Sequence, residues 1–256
     1  MTAANGGALL FRYKRRSSWV AACAVFAALF ALLGLVPVSQ LVGMSSFITM
    51  REALSPLIGM IMGPLGAVSV IIGVFLDFGL GRPVVFLGLD FLIDVSAALT
   101  AAFAFAGWRK LAVLFPTALI IVFLLSPSSA LTVSVGGVPV PFVWMHSVSV
   151  AVLAAALVLE ARGRISRLHW GFVASVMFAS TMAGHITGGI LTEYVYLSRG
   201  LLFGANTIGA YWATVFYLYP VERLFLTLVG TVVSLPVLRA LTKSRGQLAV
   251  GTKPAE

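Results

Sequence analysis

Eight carboxylates are spread along this chain: Glu52, Asp77, Asp90, Asp94, Glu160, Glu193, Glu222 and Glu256. Most of the residues around them are apolar, and an ionisable group at membrane depth is costly unless it faces a cavity or a partner. All except Glu160 and Glu256 fall at the same end of the apolar segments or in the loops beyond it. Asp90 and Asp94 are four apart and share one helix face. Asp77, Asp90 and Asp94 either pair with Arg82 or Arg51, or cap a helix start, or else contact a substrate. Glu52 suits the positive end of a helix dipole, whereas its neighbour Arg51 could engage an anionic ligand. In Pro220-Val-Glu-Arg, proline fits a first helical turn and Glu222 fits the dipole, with Glu222 pointing toward the mouth of a bundle.

His185, in Gly184-His-Ile-Thr-Gly-Gly, is either a hydrogen-bonded core residue or a ligand contact. His146 and His169 map to opposite ends of neighbouring segments. Neither a His-x-x-x-His nor a His-Glu-x-x-His spacing occurs and Cys23 is the only cysteine, so no metal site is expected. Residues 191–219 gather aromatic and polar groups suited to the wall of a small-molecule site. Glu193, Tyr194, Asn206, Tyr211 and Trp212 are the candidates there, while Tyr217 and Tyr219 read as an interfacial belt. The sequence contains neither a Gly-x-x-x-x-Gly-Lys-Ser/Thr loop nor a Gly-x-Ser-x-Gly elbow. No catalytic residue or cofactor is therefore assigned, and any ATP-driven step would need another subunit.

The elements that must hold these groups are transmembrane helices. Of the 256 residues, 60% are apolar and 10% charged, against about a quarter charged in soluble domains. Uncharged runs of about 18 or more residues can cross a hydrocarbon core of roughly 30 Å. The backbone in that core must satisfy its own hydrogen bonds, and the ten-residue alternation of a barrel is missing. The fold expected is all-α, a polytopic bundle of about eight spans: Trp19–Val38, Phe47–Met62, Pro64–Leu80, Leu87–Gly107, Leu111–Leu125, Phe142–Leu159, Leu168–Ile190 and Pro220–Leu241. Residues 1–18 and 244–256 read as basic cytoplasmic ends around one membrane domain, 19–243. The first run is too long for a cleaved signal and is expected to remain as a helix.

The uncharged stretch Ala53–Leu76 is either one 24-residue span or two short helices broken at Gly63-Pro64-Leu65-Gly66. With the break, 13 basic residues lie inside and four outside; without it the split is 7 to 10. Positive residues favour the cytoplasm, so the broken pair is expected, with both termini cytoplasmic. The net charge of +9 sits in clusters at helix ends, which suits anionic headgroups rather than nucleic acid. Residues 200–218 are expected as an outer loop or shallow re-entrant segment, and Ser129–Pro141 as a small outer hairpin about Gly136-Gly137.

The first span carries Ala24, Ala28 and Ala31 among several alanines at small-x-x-x-small spacing, which lets helix backbones approach closely. It ends in Leu35-Val-Pro. Leu54-Ser-Pro-Leu-Ile-Gly-Met-Ile-Met-Gly-Pro-Leu-Gly-Ala-Val and Gly73-Val-Phe-Leu-Asp77 follow. Together these resemble the substrate-binding S component of energy-coupling factor transporters, vitamin-uptake relatives of ABC importers. The likeness covers roughly residues 15–107 and 168–243. Members typically have six helices, so 111–159 would be an inserted helical pair. The resemblance implies a vitamin-like micronutrient bound at the outer side beneath loops 38–51 and 192–219. It also implies a membrane coupling subunit docked on Ala24, Ala28 and Ala31, with partner ATPases supplying the energy. The competing expectation is a self-sufficient ion-coupled secondary transporter using Asp77, Asp90 and Asp94.

Overall fold

In the computed structural model, described for residues 16–42, 46–197 and 208–250, the chain is a helical membrane protein with eight α-helices and two short hairpins. Five stretches are long and apolar enough to cross a membrane: Ser17–Gly34, Arg51–Gly79, Trp144–Ala161, Trp170–Tyr196 and Ile208–Lys243. The shorter apolar helix Phe91–Ala106 runs through their middle.

Helix α1 (Arg16–Gly34) stops three residues before Pro37, and proline disfavours helix at the residue before it. Strands β1 (Pro37–Gln40) and β2 (Phe47–Thr49) then form an antiparallel hairpin. The first span is therefore shorter than expected and the second begins later, because residues 36–41 and 46–50 hydrogen-bond to each other as a ribbon. Helices α2 (Arg51–Met62) and α3 (Gly66–Gly79) are joined by a single 3-10 turn, Gly63–Leu65. Gly63 has φ 68° and ψ −158°, a conformation open to glycine but costly for a residue with a Cβ. One straight helix would set Arg51 and Asp77, 26 residues apart, about 39 Å from each other. They form an ion pair instead. The two helices fold back as a hairpin.

Helix α4 (Phe91–Ala106) is the hub, packed on α2, α3, α5 and α7. Two glycines make this possible: a Cβ on Gly59 would meet the Ala98 carbonyl oxygen at 2.0 Å, and one on Gly184 the Ile93 carbonyl oxygen at 3.1 Å. Helix α5 (Arg109–Leu124) leads to β3 (Thr132–Val135) and β4 (Val138–Pro141), paired about Gly136 and Gly137. Both glycines have positive φ, 58° and 85°, the two-residue turn that matches strand twist. Helices α6 (Trp144–Ala161) and α7 (Trp170–Leu191) complete the bundle, and α7 widens into a π-turn at Thr192–Tyr196.

The last helix, α8, departs most from expectation. It runs unbroken from Ile208 to Val250, so Pro220 and Pro236 lie inside it and the described part of the expected outer loop is helix. The early turns are pinned by their own aromatics. Trp212 Nε1 donates to the Ser128 carbonyl at 2.9 Å and Tyr219 Oη to that of Phe142 at 3.0 Å. That packing outweighs the first-turn preference of Pro220. Tyr219 is correspondingly fully buried rather than interfacial, while Tyr217 is exposed.

Charge separates along the bundle. At one end, Glu160 of α6 accepts from Arg109 of α5 at 2.7 Å and from Arg167 at 2.9 Å; Arg167 also donates to the Phe105 carbonyl at 2.7 Å. The remaining ion pairs among the described residues involve Arg51, Arg82 and Arg223. Arg51 and Arg82 lie at the ends of α2 and α3 near the hairpin β1–β2, and Arg223 lies inside α8 beside Glu52.

Candidate functional site

Two polar groups occupy that second end. In the first, the buried Arg51 at the start of α2 pairs with Asp77 at the end of α3 and, at 3.2 Å, with Asp94 in the first turn of α4. Ser55 donates to Asp94 at 2.7 Å. Arg82 reaches Asp77 at 3.3 Å and donates to the Phe47 carbonyl at 2.8 Å, which ties strand β2 to the bundle. Phe30 of α1 lies under the Arg51 guanidinium, 5.4 Å from ring centroid to Cζ. Two carboxylates and two guanidiniums therefore share a junction of three helices and a strand. Arg51 and Asp94 meet each other there and do not line the neighbouring cavity. Asp90 is elsewhere: it accepts from the backbone N–H groups of Val85 and Phe86, at 3.2 and 2.9 Å, and so sets the loop before α4.

The second group lines a small cavity of about 80 Å³ that opens at one side. Helix α7 offers Gly184, His185, Gly188, Gly189 and Thr192, a stripe of one face whose glycines leave the space. Helix α8 offers Tyr211, Trp212, Val215, Leu218, Glu222 and Arg223. Gln40, Leu41, Val42 and Ile48 of the first hairpin cover one side, with Phe86 and Ile93 on another. Asp90 thus acts on the cavity through the position of Phe86.

Charge in the cavity is arranged as an unequal triad. Arg223, 2% exposed, pairs closely with Glu52 and stands 3.9 Å from Glu222. One guanidinium faces two carboxylates, so the wall carries an excess negative charge. Behind it, His146 Nε2 and His185 Nδ1 are 2.9 Å apart, and Tyr219 stacks on the His185 ring at 4.7 Å. The aromatic layer continues through Phe142, Phe123 and Trp212, with ring centroids 5.1–5.3 Å apart.

Of the residues picked out by type and spacing, Glu52, His185, Tyr211, Trp212 and Glu222 meet at this cavity. Arg51, Asp90 and Asp94 hold its surroundings. Glu193 is fully buried in the π-turn, and Tyr194 is half-exposed; neither lines the cavity. Asn206 lies outside the described residues. Ala24 and Ala28 are on the outer surface of α1, whereas Ala31 is buried beside Ala27 and Phe30. The first-span alanines therefore divide between two faces of α1. Among the described residues, no group of three His, Cys, Asp or Glu side chains is placed to hold a metal.

Sequence reasoning missed Arg223 and the pairing of His146 with His185. The first was legible in helical spacing: 212, 216, 219 and 223 form one face if the helix is begun at 208 rather than 220. The second joins residues 39 apart in sequence, and nothing local marks it. No protein-family model matches the chain, and no curated protein or solved structure matches it either.

Proposed function

We propose that this protein is the membrane-embedded substrate-binding subunit of an energy-coupling factor importer for a vitamin or related micronutrient. All eight helices lie across the plasma membrane, both termini are cytoplasmic, and the cavity opens to the outside. One observation carries the reading: the cavity between α7, α8 and the first hairpin lies at the end of the bundle opposite the Glu160-centred basic cluster. Basic clusters favour the cytoplasmic side, which supports a cavity that faces outward. Aromatic walls with few, convergent polar groups suit a flat, partly cationic ring compound. The absence of a nucleotide-binding motif leaves ATP hydrolysis to partners. The exposed Ala24–Ala28 face of α1, flanked by exposed Val20, Val25 and Leu32, is where the coupling subunit docks.

The test is purification from the native membrane. The expected result is ligand binding without ATP together with co-purification of a membrane subunit and ATPases. A folded sample that does neither would refute the proposal.

One observation favours the second reading, an ion-coupled secondary transporter. Glu193 is fully buried, and neither carboxylate oxygen has a hydrogen-bond partner among the described residues, with Ser126 alongside. A carboxyl in that setting could carry a coupling proton. Uptake by the lone chain in liposomes under a proton gradient, abolished by Glu193→Gln, would establish this reading over the first.

A further inference from the structure

We propose that the His146–His185 pair is a fixed hydrogen-bond relay that presents His185 Nε2–H to the cavity, so that the ligand carries a hydrogen-bond acceptor on a flat ring beside a cationic group. The proposal rests on the cavity being the binding site, as above, and extends that reading to the ligand's chemistry.

The argument starts from proton positions. His146 Nε2 and His185 Nδ1 are 2.9 Å apart, so one holds a hydrogen and the other a lone pair. His146 is 1% exposed, and its other nitrogen, Nδ1, is buried without a hydrogen-bond partner among the described residues. The possible states can be compared directly. If His185 donates to His146, whether neutral or charged, His146 must carry its hydrogen on Nδ1. If His146 is an imidazolium, Nδ1 again carries a hydrogen. In each case an N–H is buried with nothing to receive it, and orphaned N–H groups are rarer in proteins than under-used acceptors. Only one state leaves Nδ1 bare: His146 donates from Nε2 to His185 Nδ1, and both rings are neutral. The hydrogen of His185 must then be on Nε2.

That nitrogen is free to act. His185 lines the cavity and is partly exposed, and its Nδ1 side is closed by His146; Nε2 has no partner among the described residues. The rings cannot easily turn. Tyr219 stacks on His185 at 4.7 Å and lies tilted against His146 at 5.3 Å, Phe142 stacks on His146 at 6.2 Å, and the Tyr219 hydroxyl is anchored to the Phe142 carbonyl. The carboxylates of Glu52 and Glu222, both beside Arg223, add the preference for a cation.

The test has two arms on the full chain in detergent or nanodiscs. In protein carrying ¹⁵N-histidine and His169→Gln, only the two relay rings remain, and long-range ¹⁵N–¹H correlation at neutral pH is expected to report the Nε2–H form for both. An Nδ1–H form or an imidazolium in either ring overturns the relay. In the second arm, 3-(aminomethyl)pyridine and benzylamine are titrated at millimolar concentration. They share shape and ammonium, but only the first has a ring acceptor. The pyridine is expected to bind about fivefold tighter, as one hydrogen bond provides. That advantage should vanish in His185→Phe, whose retained benzylamine binding reports an intact cavity. Equal affinities in the native chain, or binding of neither probe, overturns the ligand class. Failure to co-purify ATPases would count against the importer reading alone and leave both arms standing.

Discussion

Arg51 shows how a side chain chosen for chemistry can turn out to organise the site around it. Its guanidinium is shared by Asp77 and Asp94, deep at a junction where removing one partner strands a buried charge. Breaking such a pair costs about 3–5 kcal/mol. Arg51→Met is therefore expected to lower the unfolding free energy in micelles by that order, measured by denaturant titration. An unchanged midpoint would mean that the network does not hold the three helix ends together. Asp90→Ala should act differently. It frees the Val85 and Phe86 amides and loosens the cavity wall, so ligand affinity is expected to fall several-fold with little loss of stability. The carboxylates were legible in sequence because charge is conspicuous against so apolar a background, and Asp77 and Asp94 pair with arginine as one of the two readings allowed. Choosing between pairing and substrate contact needed the fold. The partners Arg51, Asp77 and Asp94 come from three helices, and no local spacing relates them.

At the scale of elements, glycine controls where backbones meet. Gly63 turns the chain at φ 68°, and Gly59 lets α2 lie against the Ala98 carbonyl. Gly63→Ala is expected to destabilise the protein by about 1–3 kcal/mol through its backbone alone. Gly59→Ala should be worse, since a Cβ there would sit 2.0 Å from a backbone oxygen and α2 and α4 would have to separate. Gly79, with open space around it, is the control and should tolerate alanine. Thermal unfolding of the three variants in one detergent ranks them, and equal melting points would contradict the packing account. The α2–α3 reversal and the Gly136–Gly137 hairpin were both readable, because proline and glycine announce them in local chemistry. The hairpin Pro37–Thr49 and the early start of α8 were not. The first is a short ribbon without a two-residue turn signature, and in the second Pro220 mimics a helix start that aromatic packing overrides.

For the whole molecule, composition was sufficient for a helical membrane bundle but silent on its contents. Charge placement along the chain predicts a direction, and the ion pairs fall into two groups, one about Glu160 and one about Arg51, Arg82 and Arg223. Crossing number follows from the same argument. With Cys23→Ala as background, Leu65→Cys, at the exposed end of the Gly63–Leu65 turn, and Gly137→Cys at the second hairpin are expected to label from opposite sides of the membrane. Labelling from one side would remove a crossing between them and reverse part of the bundle. Substrate identity was never in the sequence, because the cavity is built from α7, α8 and a ribbon that approach one another only after folding.

The most direct test of the central claim, that this cavity receives a small micronutrient, is mass spectrometry of organic molecules released from the protein purified out of its native membrane. The prediction is one flat heteroaromatic compound retained near one per chain, and its loss from the Glu222→Ala variant while that variant stays folded. A folded native protein that releases no such compound, or a variant that retains it undiminished, would contradict the account.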